Sequence, residues 1–253
     1  MKNRAFSLVE LSIVLVILGL LAGGILSGQS LIRAAGLRSI TTQSNQYMVA
    51  LQSFRDKYFA IPGDMNNATK FWTSAGGTGA DSTCFDKQTS GSKATCDGTG
   101  DGRIKGITGS TYEERYSAWK HLANAGLIEG SYTGKTEGAS GTAVTKSGVN
   151  VPAGKIGGIF DIYYELSAAD GNPYVFSGSS LNRNTITLYS AKITPSEVWN
   201  IDTKLDDGSP VYGLITTNKK SATVAPDCAT GDDDKATYDF ASSVTTCLLR
   251  LGV

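Results

Sequence analysis

The chain has 253 residues, with 23 Lys plus Arg balanced by 23 Asp plus Glu. That balance excludes the basic excess that drives non-specific nucleic-acid binding, and no specific nucleic-acid partner is expected. Thirty glycines and a charged fraction of 18% predict a loop-rich β domain on a surface or in an extracytoplasmic space.

The chain opens with two basic residues, Lys2 and Arg4. The next 28 residues, up to Arg33, carry one charge, Glu10. The apolar run Leu11 to Leu26 exceeds the 7–15 residues of a secretory signal core, and no clear cleavage site follows it. A plain membrane anchor fits the length. It does not account for Glu10, because a carboxylate in a membrane helix costs about 2.5–3.5 kcal/mol on insertion scales. Basic residues ahead of the span place the N-terminus in the cytoplasm and everything after Arg33 outside.

The order Ala5-Phe6-Ser7-Leu8-Val9-Glu10-Leu11 resembles the N-terminus of type IV prepilins and pseudopilins. The resemblance implies cleavage by a prepilin peptidase between Ala5 and Phe6 and methylation of the new Phe6 amine. It assigns Glu10, the fifth mature residue, to filament assembly. This chain has Ala5 where that family usually has Gly. The implied segments are a leader at 1–5, a membrane and filament-core half of a helix at 6–32, and an extracytoplasmic head at 33–253. Losing Lys2 and Arg4 with the leader leaves a net charge of −2 on the mature side chains.

No proline interrupts the chain until Pro62. Past Arg33 the apolar residues become periodic, and Tyr47, Leu51, Phe54 and Tyr58 fall on one helical face. One helix from about Phe6 to about Ala60 is therefore predicted, stopped at Ile61-Pro62-Gly63-Asp64. Gly19, Gly23 and Gly24 interrupt its apolar half. They permit either close helix packing or local unwinding on leaving the bilayer. From Gly63 to Asp101 the composition is that of loops.

A second helix is signalled by the capping box Thr111-Tyr112-Glu113-Glu114, then by Tyr112, Tyr116, Trp119 and Ala123, with Gly126 closing it. Strands are predicted near 156–166, 174–176, 185–189, 211–217 and 245–251. A short helix with cap Thr194, Pro195 and Glu197 precedes the turn at Asp206-Asp207-Gly208. The predicted fold class is α+β and pilin-like, a long N-terminal helix packed on a mainly antiparallel head.

Four cysteines, Cys84, Cys96, Cys228 and Cys247, allow three connectivities. The sequence-local pairing is the simplest, each bond stapling one loop and contributing about 3 kcal/mol by chain entropy. The resemblance adds that pilin-like proteins often carry a disulfide near the C-terminus, as Cys228–Cys247 would be. Metal thiolates are disfavoured by the lack of a Cys-x-x-Cys pair and the single His121.

Asp97-Gly98-Thr99-Gly100-Asp101-Gly102-Arg103-Ile104 has the oxygen spacing of a calcium loop, with Asp97, Thr99 and Asp101 at positions 1, 3 and 5 and Arg103 at 7. Position 12 is Thr108, so the motif is not an intact EF-hand, and Glu113 or Glu114 is the candidate replacement ligand. The competing reading is a Gly-rich turn with solvated Asp. Asp202, Asp206 and Asp207 read as a solvated acidic face, and His121 as structural. No GxSxG, P-loop, HExxH or dinucleotide fingerprint occurs, so no enzyme is expected.

Two functions compete. The first is a structural subunit that is processed in the bacterial inner membrane and handled by its assembly machinery. It would polymerise as a homo-oligomeric helical filament, periplasmic or on the cell surface. The second is a bitopic, membrane-anchored extracytoplasmic binding module that does not polymerise.

Overall fold

The computed structural model describes residues 8–76, 82–106, 114–138, 144–165, 183–218, 228–231, 233 and 235–253. Ala5, Phe6, Thr108, the cap at 111–113 and the strand expected at 174–176 lie outside these residues.

Helix α1 spans Leu8–Tyr58, 51 residues, or about 77 Å at 1.5 Å per residue. It closes where Phe59 takes a left-handed φ of 51°, three residues before Pro62. The buried positions of its second half, Ile40, Gln43, Ser44, Tyr47, Ala50, Leu51 and Phe54, recur every three or four residues. That spacing places them on one stripe facing the head. Tyr58 sits half-buried at the rim. The short helix α2 is Ser82–Phe85.

Among the described residues, the head contains one four-stranded antiparallel sheet: β1 (Ile159–Glu165), β2 (Arg183–Tyr189), β3 (Ile215–Thr216) and β4 (Leu249–Gly252), in the order β1-β2-β4-β3. Its register aligns Ile162, Ile186, Leu251 and Ile215 in one row across all four strands. Phe160, Leu188 and Leu249 form the parallel row. Period-2 alternation puts these seven side chains on one face, and all are buried in the core shared with α1. Tyr47 of α1 meets Phe160 edge-to-face at 5.0 Å.

The opposite face is polar yet also buried. Arg115 reaches Asp161 at 3.0 Å, and Arg250 lies 3.5 Å from Glu165, all four side chains at 5% exposure or less. A buried charge is tolerated only when paired. Burial raises the Asp161 carboxyl above its usual range while Arg115 opposes the shift.

Helix α3 covers Glu114–Asn124 and ends near Gly126, whose φ of +72° is the expected left-handed closing position. Helix α4, Pro195–Leu205, begins with the expected capping box and stops at Asp206. Two expected strands are shorter than the composition implied. At 211–217 only Ile215–Thr216 pairs, and at the C-terminus the strand starts at Leu249. Both disulfides take the local pairing, Cys84–Cys96 and Cys228–Cys247.

Candidate functional site: the membrane helix and its junction with the head

From Leu8 to Ile32 every large apolar side chain of α1 is at least 50% exposed. An 18-residue window in this helix has a mean hydropathy of 2.5 and none of it buried. In water such a surface would be a severe liability, whereas in lipid it is satisfied. Glu10 lies exposed in the first turn, where the positive end of the helix dipole favours a carboxylate. Among the described residues, a methyl group at Gly19, Gly23, Gly24 or Gly28 would meet nothing outside its own helix, so packing among those residues does not demand their smallness.

Arg33 joins this apolar half to the head. Its Nε and Nη2 donate to the two carboxylate oxygens of Glu197, each at 2.5 Å, and Nη2 also donates to the Lys192 carbonyl. Glu197 is the third residue of α4, and its Oε2 accepts the Thr194 N–H at 2.9 Å. One carboxylate thus caps α4 and clamps it to α1. Burial pushes the Glu197 carboxyl up, but the Arg33 and Thr194 hydrogen bonds hold it below its ordinary value. Nothing periodic in the sequence announces a pair 164 residues apart.

Further along α1, Ile156 packs so closely on Gly36 that a methyl group there would sit 2.6 Å from it. The Gln43 amide donates to the Ala153 carbonyl at 2.8 Å and accepts the Lys155 N–H at 3.2 Å. Tyr47 contacts Trp119 and Phe160 edge-to-face, with both centroids 5.0 Å away.

Phe54, the last buried residue of α1, stacks on His121 with ring planes 6° apart. His121 is fully buried. Its Nδ1 accepts the Gly63 N–H at 3.0 Å, so the ring proton resides on Nε2. Nε2 meets Thr95 Oγ1 at 2.9 Å, and that hydroxyl donates to Gln88 Oε1 at 3.0 Å. Gln88 then donates to the Gly134 carbonyl at 2.7 Å. Burial first, and the neighbouring Lys120 charge last, push the His121 pKa down to about 3. The Lys120 ammonium donates to the carbonyls of Thr89 and Ser92 at 2.7 and 3.0 Å, and burial pushes its pKa down to about 8. His121 thus sits inside a closed hydrogen-bond network, with Nε2 carrying its proton toward the Thr95 hydroxyl.

The calcium-like turn is pinned by protein groups. Asp97 accepts the Thr69 N–H and hydroxyl at 2.8 and 3.0 Å. Asp101 pairs with Lys105 at 2.6 Å and accepts the Arg103 N–H. Thr99 donates its N–H and hydroxyl to Glu114, at 2.7 and 2.9 Å. Glu113 lies outside the described residues. The anchor that composition did not reveal is Asp64, just after Pro62. Its Oδ1 accepts the N–H groups of Gly100 and Asp101 at 2.6 and 3.0 Å, and its Oδ2 accepts that of Gly102 at 2.8 Å. Burial raises the Asp64 carboxyl, and these three donors hold the rise in check. Replacing Asp64 with alanine orphans the Asp101 and Gly102 N–H groups together, while that of Gly100 keeps the residue 64 carbonyl at 2.8 Å. Unfolding of the Asp64→Ala chain in denaturant is expected to show a loss of about 2–4 kcal/mol, against under ~1 kcal/mol for an exposed site such as Asp56→Ala.

The group Asp202, Asp206 and Asp207 departs from the expected solvated face. Asp202 is fully buried, accepting the Tyr238 hydroxyl at 2.7 Å and the Gly208 N–H at 3.2 Å. Asp206 accepts the N–H groups of Leu214 and Ile215. Three carboxylate oxygens lie within 4.8 Å of one another. The helical spacing was legible, but Tyr238, 36 residues away, turns one of them inward. Burial pushes the Asp202 pKa up to about 6.

Residues 1–26 match the prokaryotic N-terminal methylation motif, the type IV prepilin-type signal. This supports a processed subunit of the pilin or pseudopilin kind, and a precursor anchored in the inner membrane fits the apolar helix. No curated protein and no solved structure matches the chain.

Proposed function

We propose that the chain is a structural subunit, pilin or pseudopilin, of a type IV pilus or a type II secretion-like filament. The observation that carries this reading is the methylation motif on a helix whose first half is wholly exposed and whose second half is the spine of the head. Prepilin peptidase cuts between Ala5 and Phe6, the assembly machinery withdraws the helix from the inner membrane, and copies bundle through their apolar halves. The open surface at Gly19, Gly23, Gly24 and Gly28 suits close helix approach between copies. Mass spectrometry of the mature N-terminus tests the processing step. N-methyl-Phe6 is the expected result. An intact Met1 would return the chain to the anchored binding module.

Calcium at Asp97, Thr99, Asp101, the Arg103 carbonyl and Glu113 or Glu114 is a separate proposal. Extracellular calcium modules bind at about 10⁻⁴–10⁻³ M, and a ligand held only by the folded state raises its melting temperature. A rise in millimolar Ca²⁺ over EDTA that Asp101→Ala removes supports the site. Coincident melting curves discard it and leave the filament reading unaffected.

A further inference from the structure

Among the described residues, the head carries two exposed aromatic patches of opposite surroundings. At the far end of α1, Tyr58 and Phe71 meet edge-to-face at 5.1 Å, and Phe71 remains 53% exposed. The Lys57 ammonium stands 5.2 Å over the Tyr58 ring. Phe59, next in the chain, is 93% exposed and holds the left-handed φ of 51°, which a bulky side chain rarely adopts. Arg55 and Lys57 on α1, and Lys70 just before Phe71, are all exposed, and the acid in these segments is Asp56. The first patch is therefore apolar with a basic rim.

The second patch lies on α4. Trp199 packs edge-to-face on Phe240 at 5.5 Å, and they remain 38% and 60% exposed. The Trp199 indole nitrogen lies 3.6 Å from where a Gly208 Cβ would stand, which sets the ring beside the turn that carries Asp206 and Asp207. Asp207 is exposed. Among the described residues neither carboxylate has an ion-pair partner. Arg183 acts on Asp206 through space, but its Nη2 donates to the Gly213 carbonyl. Lys204 is turned about 140° from Trp199 around α4. The second patch is therefore apolar with an acidic rim.

The patches lie at different heights along α1. Arg33 holds Glu197, and Trp199 is two residues further on, so the acidic-rimmed patch sits near the level of Arg33. Tyr58 lies about 37 Å further along the helix axis, at 1.5 Å per residue. Copies that run parallel in a filament meet through unlike surfaces, and each contact leaves both ends open for the next copy. We infer that the basic-rimmed patch of one copy docks on the acidic-rimmed patch of a second copy, displaced about 30–40 Å along the axis, with Lys57 against Asp207. The inference rests on the filament reading and adds to it a contact between heads. Exposed rings on both surfaces supply an apolar centre, and the opposite rims fix the register.

The test uses filaments sedimented from cells that make the full chain. A carbodiimide joins an amine to a carboxylate when the two are in contact, and peptide mapping by mass spectrometry locates the new amide. A Lys57–Asp207 amide is expected in filaments and not in the single chain held in detergent, where the two residues stand at different heights of one head. Charge reversal gives a second measurement on the same pair. Lys57→Glu sets like charges together and is expected to cut filament yield by at least about tenfold, and Asp207→Lys in the same chain is expected to restore it. Filaments without the Lys57–Asp207 amide overturn the head contact, as does a Lys57→Glu yield equal to that of the unaltered chain. A Lys57→Glu chain that fails to fold leaves the cross-link in the unaltered filament to decide. An unaltered chain that is processed yet forms no filaments overturns the filament reading itself.

Discussion

Glu10→Ala is expected to insert and to be cleaved as usual, yet to yield no filaments or very few. The carboxylate lies in the first turn of an otherwise apolar helix, exposed on the single chain. In the bilayer it costs about 2.5–3.5 kcal/mol, so alanine anchors at least as well. Bundling apolar halves removes Glu10 from solvent, where a carboxylate needs a cationic partner. In the proposed filament that partner is the Phe6 amine of a neighbouring copy, which exists only after cleavage. The pair sets axial register and makes assembly depend on processing. Filament yield by sedimentation and mature N-terminus by mass spectrometry separate the two steps. Ordinary yield from processed Glu10→Ala subunits would eliminate the pairing.

The second large effect concerns acid. The His121 pKa is pushed down to about 3, against 6.5 for the unfolded side chain. Between those values the unfolded chain binds the proton and the folded chain does not. The stability from neutral His121 is therefore complete above pH 6.5 and is lost progressively as pH falls toward 3. The loss is on the order of 4–5 kcal/mol over the whole window. Protonation at Nδ1 would also point one donor at another, the Gly63 N–H. Asp202 acts in the opposite sense. With its pKa raised to about 6, it takes up its proton more readily folded than unfolded, which favours the fold as pH falls from 6 toward 3.8. The difference between the unaltered chain and His121→Gln isolates the histidine. At pH 7 the variant should be about 1–3 kcal/mol less stable, and by pH 4 the gap should narrow or invert. A gap independent of pH would refute the burial argument. Denaturant unfolding of the full chain in detergent, repeated across pH, measures it.

Local features were legible in the sequence. The long helix, the stripe at Tyr47, Leu51 and Phe54, the Thr194–Glu197 cap, strands β1 and β2 and the short-range disulfides all leave a trace in neighbouring residues. Periodicity reports which face of an element is apolar, but not which polar side chain waits across the core. The Arg33–Glu197 clamp, the Asp64 cradle for residues 100–102 and the Tyr238–Asp202 bond join residues 36 to 164 apart. Each reads as an ordinary surface charge until the fold closes. The far face of the sheet was hidden for the same reason. Asp161, Glu165 and Arg250 look like solvent positions, and Arg115 with mutual pairing makes their burial tolerable.

The attachments of head to helix run from Arg33 to Phe54, about 32 Å along the helix axis. They comprise an ion pair, an amide bridge, an aromatic triad and a stacked imidazole. Tension along α1 loads all of them in parallel as shear, so none can fail before its neighbours share the force. A sideways pull that lifts the helix from either end would break them singly, in sequence. The head is thus built to resist hauling along the helix axis far better than prying, a mechanical anisotropy set by where the contacts lie.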